Sequence, residues 1–376
     1  MSTAVVSGAL AAKSGNGGNA WTRLAWTGAL SRLGFDVWFV ESVPAGIDRA
    51  ALAWAGAVAD AHGLSGRLLF GDAGLDVVGD ADLILNISGH LDLTGFGDGG
   101  AGAGGRGAGG RGSASPVRVF LDDDPGFTQV WAAQGSAGSR LSGHDLYLTY
   151  GTNIGSPDCP LPAGDIAWHG VHPPVLLDAW PVLPTPQPDR LTTVASWRGP
   201  FGAVEWAGTT YPLKHHEFRA LLPLPSLVPA EYDLALDIHP AEAADLAALA
   251  QNGWRVTEPS RAAGDPERYR SWVQGSGAEV SAAQGVYTHT NSGWVSDRTA
   301  AYLASGRPAV VQDTSPSVPT GEGLLTFRDL SGAADAVRSV LDDYDRHAKA
   351  ARALAEEHFD AVAIAGRMCE WAGVAP

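Results

Sequence analysis

Cysteine is nearly absent. The 376 residues hold two, Cys159 and Cys369, and an isolated pair builds neither a disulfide framework nor a cysteine-based zinc cluster. Positive charge is also scarce. Lys and Arg total 25 against 41 Asp and Glu, a net charge of −16, which repels phosphate backbones and argues against a nucleic-acid binder. No apolar run approaches the ~20 residues that a membrane-spanning helix needs. The opening MSTAVVSGALAAKSGNGG lacks a charged start followed by a sustained apolar stretch, so a cytoplasmic protein is expected. A strict triplet repeat is missing, which excludes collagen, and a hydrophobic share of 45% excludes disorder of the whole chain.

Glycine and proline are abundant, at 48 and 24 residues, and they punctuate short apolar segments. In the first half, Ala4-Val5-Val6 reads as a strand, Gly15 to Asn19 as a loop, and the next segment as a helix. Trp26, Ala29, Leu30 and Leu33 share one face of that helix and Gly34 stops it. Further strands are expected at Phe35–Val40, Asp82–Ile87, Val117–Leu121 and Leu146–Tyr150. Strands alternating with helices point to a parallel α/β sheet. The low-complexity stretch Gly95 to Ser115 is expected to be flexible. Four prolines between Trp180 and Asp189 predict a semi-rigid linker.

Beyond that linker the alternation restarts. Strands are expected at Leu191–Ala195, Tyr232–Ile238, Gly285–Thr288, Pro308–Gln312 and Leu324–Phe327. Helices are expected at Leu213–Leu222, Ala241–Gln251 and Ser296–Ser305, with a helical tail carrying Ala334, Val337, Leu341 and Tyr344 on one face. The reading is therefore α/β, two Rossmann-like lobes facing a central cleft: residues 1–179, a linker at 180–190, a second lobe at 191–358, and a final helix in 359–376. Ligands of such sheets sit at the carboxyl ends of the strands.

The most informative segment is Thr288-His-Thr-Asn-Ser-Gly-Trp-Val-Ser-Asp-Arg298. A tight Ser292-Gly293 turn leads to Ser296 or Asp297 as the cap of a helix. The positive end of that helix, with Arg298, offers a site for a diphosphate. Asn291 to Ser296, followed by Gly306-Arg-Pro-Ala-Val-Val311, resembles the donor-binding segment of GT-B glycosyltransferases of the family-1 and family-4 types. That resemblance implies transfer of a sugar from a nucleotide-diphosphate sugar to a small-molecule or glycan acceptor, secondary metabolites included. It implies donor contacts at His289, Ser292, Gly293, Trp294, Ser296, Asp297 and Arg298. Arg198 and Lys214 resemble the cation pair that neutralises the leaving diphosphate without a metal. Gln312, Asp313 and Thr314 fall where relatives meet the sugar hydroxyls, and Gly17-Gly18 resembles their first-lobe glycine loop. The final helix, Asp360 to Trp371, crosses back onto the first lobe in such proteins. Asn291 stands where plant-type members carry a histidine, and Gly293 and Ala301 where retaining members carry two glutamates. Both stereochemical outcomes therefore stay open.

An inverting reaction needs a base for the acceptor hydroxyl. His90, in the loop after the strand ending at Ile87, is the first candidate. Asp123, in the run Asp122-Asp123-Asp124, is the second, as base or as partner to a histidine. Glu279 reads as a helix cap rather than a donor ligand. His169, His172, His215 and His216 match no zinc pattern, and neither a metal nor a tightly bound cofactor is expected. Two alternatives remain: an epimerase or donor hydrolase on the same fold, and a non-catalytic nucleotide-sugar binding protein. A two-lobe solute-binding protein is a weaker one.

Overall fold

The computed structural model describes residues 1–93, 115–184 and 187–376; most of the glycine-rich stretch and part of the proline-rich segment lie outside them. Short runs of Val, Ile and Leu that are buried on both faces, such as Leu83–Ile87, are suited to parallel strands between layers of helices. Seven of these segments form the first sheet: β1 (Thr3–Ser7), β2 (Asp36–Glu41), β3 (Leu68–Phe70), β4 (Leu83–Ile87), β5 (Val117–Asp122), β6 (Leu146–Thr149) and β7 (Trp168–Gly170). Their order is β3-β2-β1-β4-β5-β6-β7, with every pairing parallel.

The second sheet contains β8 (Arg190–Ser196), β11 (Glu231–Asp237), β12 (Trp254–Thr257), β13 (Ala278–Ser281), β14 (Ala309–Gln312) and β15 (Leu324–Phe327), and a small hairpin, β9 (Glu205–Trp206) and β10 (Thr209–Thr210), stands apart. The order β12-β11-β8-β13-β14-β15 is again parallel throughout. Each sheet reverses its strand order beside its first strand, β1 or β8, which opens a crevice at the carboxyl edge.

Two expectations are corrected here. Gly285–Thr288 is a helical turn and not a strand; the strand is the preceding Ala278–Ser281, whose polar look comes from a buried Glu279. The tail helix also breaks at Asp343, so that Tyr344 begins a new helix, Tyr344–His358.

The lobes are packed together on both flanks of the crevice. On one side, the helix Gly17–Leu33 abuts Asp265. A Cβ on Gly17 would lie 2.1 Å from the Asp265 carbonyl oxygen, a separation only glycine permits. Trp21 Nε1 donates to the Pro266 carbonyl at 2.8 Å, and Trp54 Nε1 to that of Gly264 at 3.2 Å. On the other side, Phe127, Val130, Ile154 and Leu161 of the first lobe share an apolar cluster with Val204, Tyr211, Val286 and Tyr287 of the second. The helix Ala361–Ala372 returns to pack on Gly17–Leu33, and Val175 forms an isolated bridge with Asp360.

This packing separates two glycines. Gly17→Ala drives a methyl into fixed backbone, and chemical unfolding is expected to show a loss of about 1–3 kcal/mol. Gly56→Ala, inside the helix Arg49–Ala61 with nothing within 4 Å of the added carbon, is expected to gain about 0.5–1 kcal/mol.

Candidate functional site

Between the two carboxyl edges lies a cavity of about 500 Å³, within the range of small-molecule sites. Its wall comes from the segments that follow β1, β5 and β6 in the first lobe and β8, β10, β11, β12 and β13 in the second. Short strands ending at one level place those segments face to face.

On the first-lobe side, three successive aspartates take three different roles. Asp122 closes β5 and is fully buried. Its carboxylate accepts from Thr128 at 2.7 Å, Gln129 at 2.7 Å and Thr149 at 2.7 Å, and from the Asp124 amide at 3.2 Å. Burial pushes it up to about 6, and its bonds fix the loop that aims its neighbours. Asp123 faces Arg23, whose Nη2 lies at 3.2 Å, and accepts a hydrogen bond from the Ser88 hydroxyl. Burial would raise its pKa, but Arg23, Lys13 and Ser88 outweigh that and hold it below the ordinary carboxylate value. Asp124 also lines the cavity and has no cation in direct contact among the described residues. Burial, then the charges of Asp123 and Asp122, push it up to about 7 against the pull of Lys13 and of a hydrogen bond from Tyr287.

Asp124 is thus the carboxyl poised to exchange a proton near neutral pH. From the sequence alone the candidate is Asp123, its neighbour in the same run. Three adjacent aspartates look alike in one dimension, and the ion pair that engages Asp123 comes from Arg23, a hundred positions away.

On the second-lobe side, the helix Asp297–Ala304 points its first turn at the cavity. Its positive end is already occupied. The Ser296 hydroxyl accepts from the Arg298 amide at 3.2 Å, and Asp297 Oδ1 accepts from the same amide at 2.8 Å. Asp297 Oδ2 accepts from the Thr22 hydroxyl of the first lobe at 2.6 Å. Arg298 is not a free cation either. Its Nε lies 2.6 Å from Oε1 of the fully buried Glu279, and it donates to the Val194 carbonyl at 2.9 Å and to Ser281 at 3.0 Å. Glu279, expected as a helix cap, is therefore the buried counter-ion in the middle of β13.

The uncommitted positive charge comes from lysine. The chain has only three lysines, Lys13, Lys214 and Lys349, and the first two line this cavity from opposite lobes. Neither makes an ion pair among the described residues. Burial, then Arg298, push Lys214 down to about 8, so it remains mostly charged at neutral pH. Lysine scarcity is the signal legible in the sequence, and it points to Lys13 as well as to Lys214.

The remaining expected residues divide as follows. Gly18 and Trp294 line the cavity with Asp123, Lys214, Asp297 and Arg298. Gly17 serves the contact with Asp265 instead. Arg198 is exposed and paired with Glu242 at 2.5 Å, and it does not line the cavity although Ser196 and Pro200 beside it do. His289 pairs with Glu217 at 3.1 Å. The Ser292-Gly293 turn holds the lobes together: Asn153 donates its amide to the Ser292 carbonyl at 3.1 Å, and Thr152 Oγ1 donates to the Gly293 carbonyl at 3.1 Å. Gly293 has φ of +76°, and a Cβ there would meet Thr152 Oγ1 at 2.4 Å.

Ser296 is buried as a cap. Gln312 accepts from the Ala283 amide and donates to Glu217 at 2.6 Å, Asp313 pairs with Arg328 at 2.8 Å, and Thr314 donates to the Trp294 carbonyl at 2.6 Å. None of these three lines the cavity. His90 lines a neighbouring hollow with Arg140, whose Nη1 lies 3.2 Å from its Nδ1. Burial, then Arg23, push its imidazole down to about 4, too weakly basic to hold a proton well. Among the described residues, no group of three or more His, Cys, Asp or Glu could hold a metal ion, and no helix is long and apolar enough to cross a membrane.

No protein-family model matches the sequence, and a search of curated proteins finds no significant match. Solved structures are similar over nearly the full length. An α-glucosyltransferase in complex with UDP superposes with a TM-score of 0.62 at 11% identity, covering 99% of this chain and 100% of the other. HepE from Anabaena, in complex with UDP-glucose, gives 0.60 at 12% identity with the same coverage. AviGT4, a glycosyltransferase involved in avilamycin A biosynthesis, gives 0.56 at 12%, covering 99% of this chain and 97% of the other. The fold is GT-B. At such low identity the likeness is one of architecture.

Arg298 and Arg198 are therefore expected to behave differently in unfolding experiments. Arg298→Ala strands Glu279 without its counter-ion and is expected to cost about 3–5 kcal/mol. Arg198→Ala is expected to leave the unfolding midpoint in place.

Proposed function

We propose that this GT-B protein is a glycosyltransferase that moves a sugar from a nucleotide-diphosphate sugar to an acceptor hydroxyl held in the interlobe cavity. One observation carries the proposal: Lys13 and Lys214, both without a carboxylate partner among the described residues, line the cavity that also holds Asp124. A site with two uncommitted cations suits an anion with two phosphates, and a carboxyl near neutrality suits the proton that the acceptor must give up. The complexes of similar structures with UDP and UDP-glucose make UDP the first nucleotide to test. In this proposal the enzyme is cytoplasmic and works without a metal.

The reaction then divides between the lobes. The acceptor oxygen attacks the anomeric carbon, its O–H proton passes to the Asp124 carboxylate, and the bond from the anomeric carbon to the phosphate oxygen breaks. The electron pair leaves on the nucleoside diphosphate, whose growing charge the lysines offset. Arg298 and Asp297 shape the second-lobe wall, and Asp123 with Arg23 gives the first-lobe wall a fixed, neutralised pair.

Calorimetric titration with UDP, dTDP, GDP and ADP tests the donor site. One nucleotide is expected to bind tightly, and Lys214→Ala is expected to weaken it about 10- to 100-fold, the size of a lost charge-assisted hydrogen bond. Arg198→Ala is expected to leave the affinity unchanged. Binding to none of the four would remove the proposal.

The pH profile supplies a second check. A base works deprotonated, so kcat is expected to rise as pH increases through about 7, where Asp124 titrates. Asp124→Asn is expected to retain nucleotide binding while losing about 100-fold or more in kcat.

A further inference from the structure

Asp124 belongs to the first lobe, yet the hydroxyl that donates to it belongs to the second. Tyr287 Oη lies 3.2 Å from Asp124 Oδ1. Tyr287 sits in the helical turn Gly285–Thr288, and its ring is buried in the apolar cluster between the lobes. There it packs on Trp294, with centroids 4.4 Å apart, and edge-on to Phe127 at 6.2 Å. The ring is thus fixed by both lobes while its hydroxyl reaches a cleft carboxyl that has no cation in direct contact among the described residues.

We propose that Tyr287 is the positioning residue of the cleft carboxyl, donating to Asp124 only while the lobes are docked, so that docking sets the protonation of the group that receives the acceptor's proton. This deepens the transferase reading and rests on it for its catalytic meaning.

The other groups facing Asp124 are accounted for by element. Asp122 and Asp123 lie on its own loop; the first is tied to Thr128, Gln129 and Thr149, the second to Arg23. Lys13 faces it from the loop after β1, and Lys214 from the helix Lys214–Arg219 of the second lobe. The two aspartates favour the protonated form, and the lysines favour the carboxylate. Tyr287 is the neutral donor in this set. Its hydrogen bond stabilises the carboxylate, so separating the lobes or deleting the hydroxyl moves Asp124 toward its protonated form.

Tyr287→Phe tests this while leaving the ring packing in place. In the full-length protein without substrate, carboxyl NMR of labelled aspartate, assigned with Asp124→Asn, is expected to show the Asp124 titration moving to higher pH by about half a unit or more. In the transfer assay the acidic limb of kcat is expected to move the same way. At pH 6 kcat then falls about three- to tenfold, and at pH 9 it changes little, with nucleotide affinity unaltered. An Asp124 titration that stays in place in Tyr287→Phe overturns the inference, whatever the activity. An equal loss of kcat at both pH values also overturns it, because that is the signature of damaged packing. If instead the NMR titration moves and Asp124→Asn transfers sugar at the wild-type rate, the coupling stands and the catalytic reading of the carboxyl falls.

Discussion

The helix Gly17–Leu33 reaches Asp265 at a separation that excludes a methyl group, and the cavity depends on that approach. Two parallel sheets each leave a row of loops at one edge, and neither row by itself makes a closed pocket. Bringing the rows together puts Lys13 opposite Lys214, Thr22 on Asp297, and Asp124 under Tyr287. Steric contact at one flank and apolar packing at the other hold the arrangement, while the polar contacts in the middle have modest net energies that could not hold it alone.

Within the cavity, charge bookkeeping separates structure from chemistry. Arg298 with Glu279 and Arg23 with Asp123 are buried pairs, whose attraction offsets the desolvation of both partners. Such pairs fix geometry but leave little net charge for a ligand. Asp297 plays a similar part at its helix terminus, filling with its own carboxylate the place that a phosphate takes elsewhere. Lys13, Lys214 and Asp124 belong to the cavity groups that no ion pair among the described residues neutralises.

This also explains what the sequence could and could not disclose. Short buried strands ending in small-residue loops are local patterns, so the two-lobe α/β plan was legible, as were Lys214 and the cleft position of Gly18, Asp297 and Arg298. Partner choice is not local. The carboxylates that occupy Arg198 and Arg298 lie 44 and 19 residues away, and the asparagine that engages the Ser292-Gly293 turn belongs to the other lobe. The error at Gly285–Thr288 had a related cause, because a strand carrying a buried glutamate does not look like one until its arginine is known. Lysine usage, by contrast, was visible throughout.

The return of the helix Ala361–Ala372 to the first lobe has a consequence for biosynthesis. Its Ile364, Ala365, Met368 and Cys369 join the same apolar cluster as Trp26, Ala29 and Leu30, and the neighbouring Ala361 amide donates to Val175 at 3.0 Å. A ribosome completes β1 to β7 long before it makes these residues. The nascent first lobe therefore emerges with one apolar face uncovered, and its final packing waits for the second lobe to be translated. Although the sheets are separate in sequence, the first lobe's apolar cluster is complete only with residues from the end of the chain.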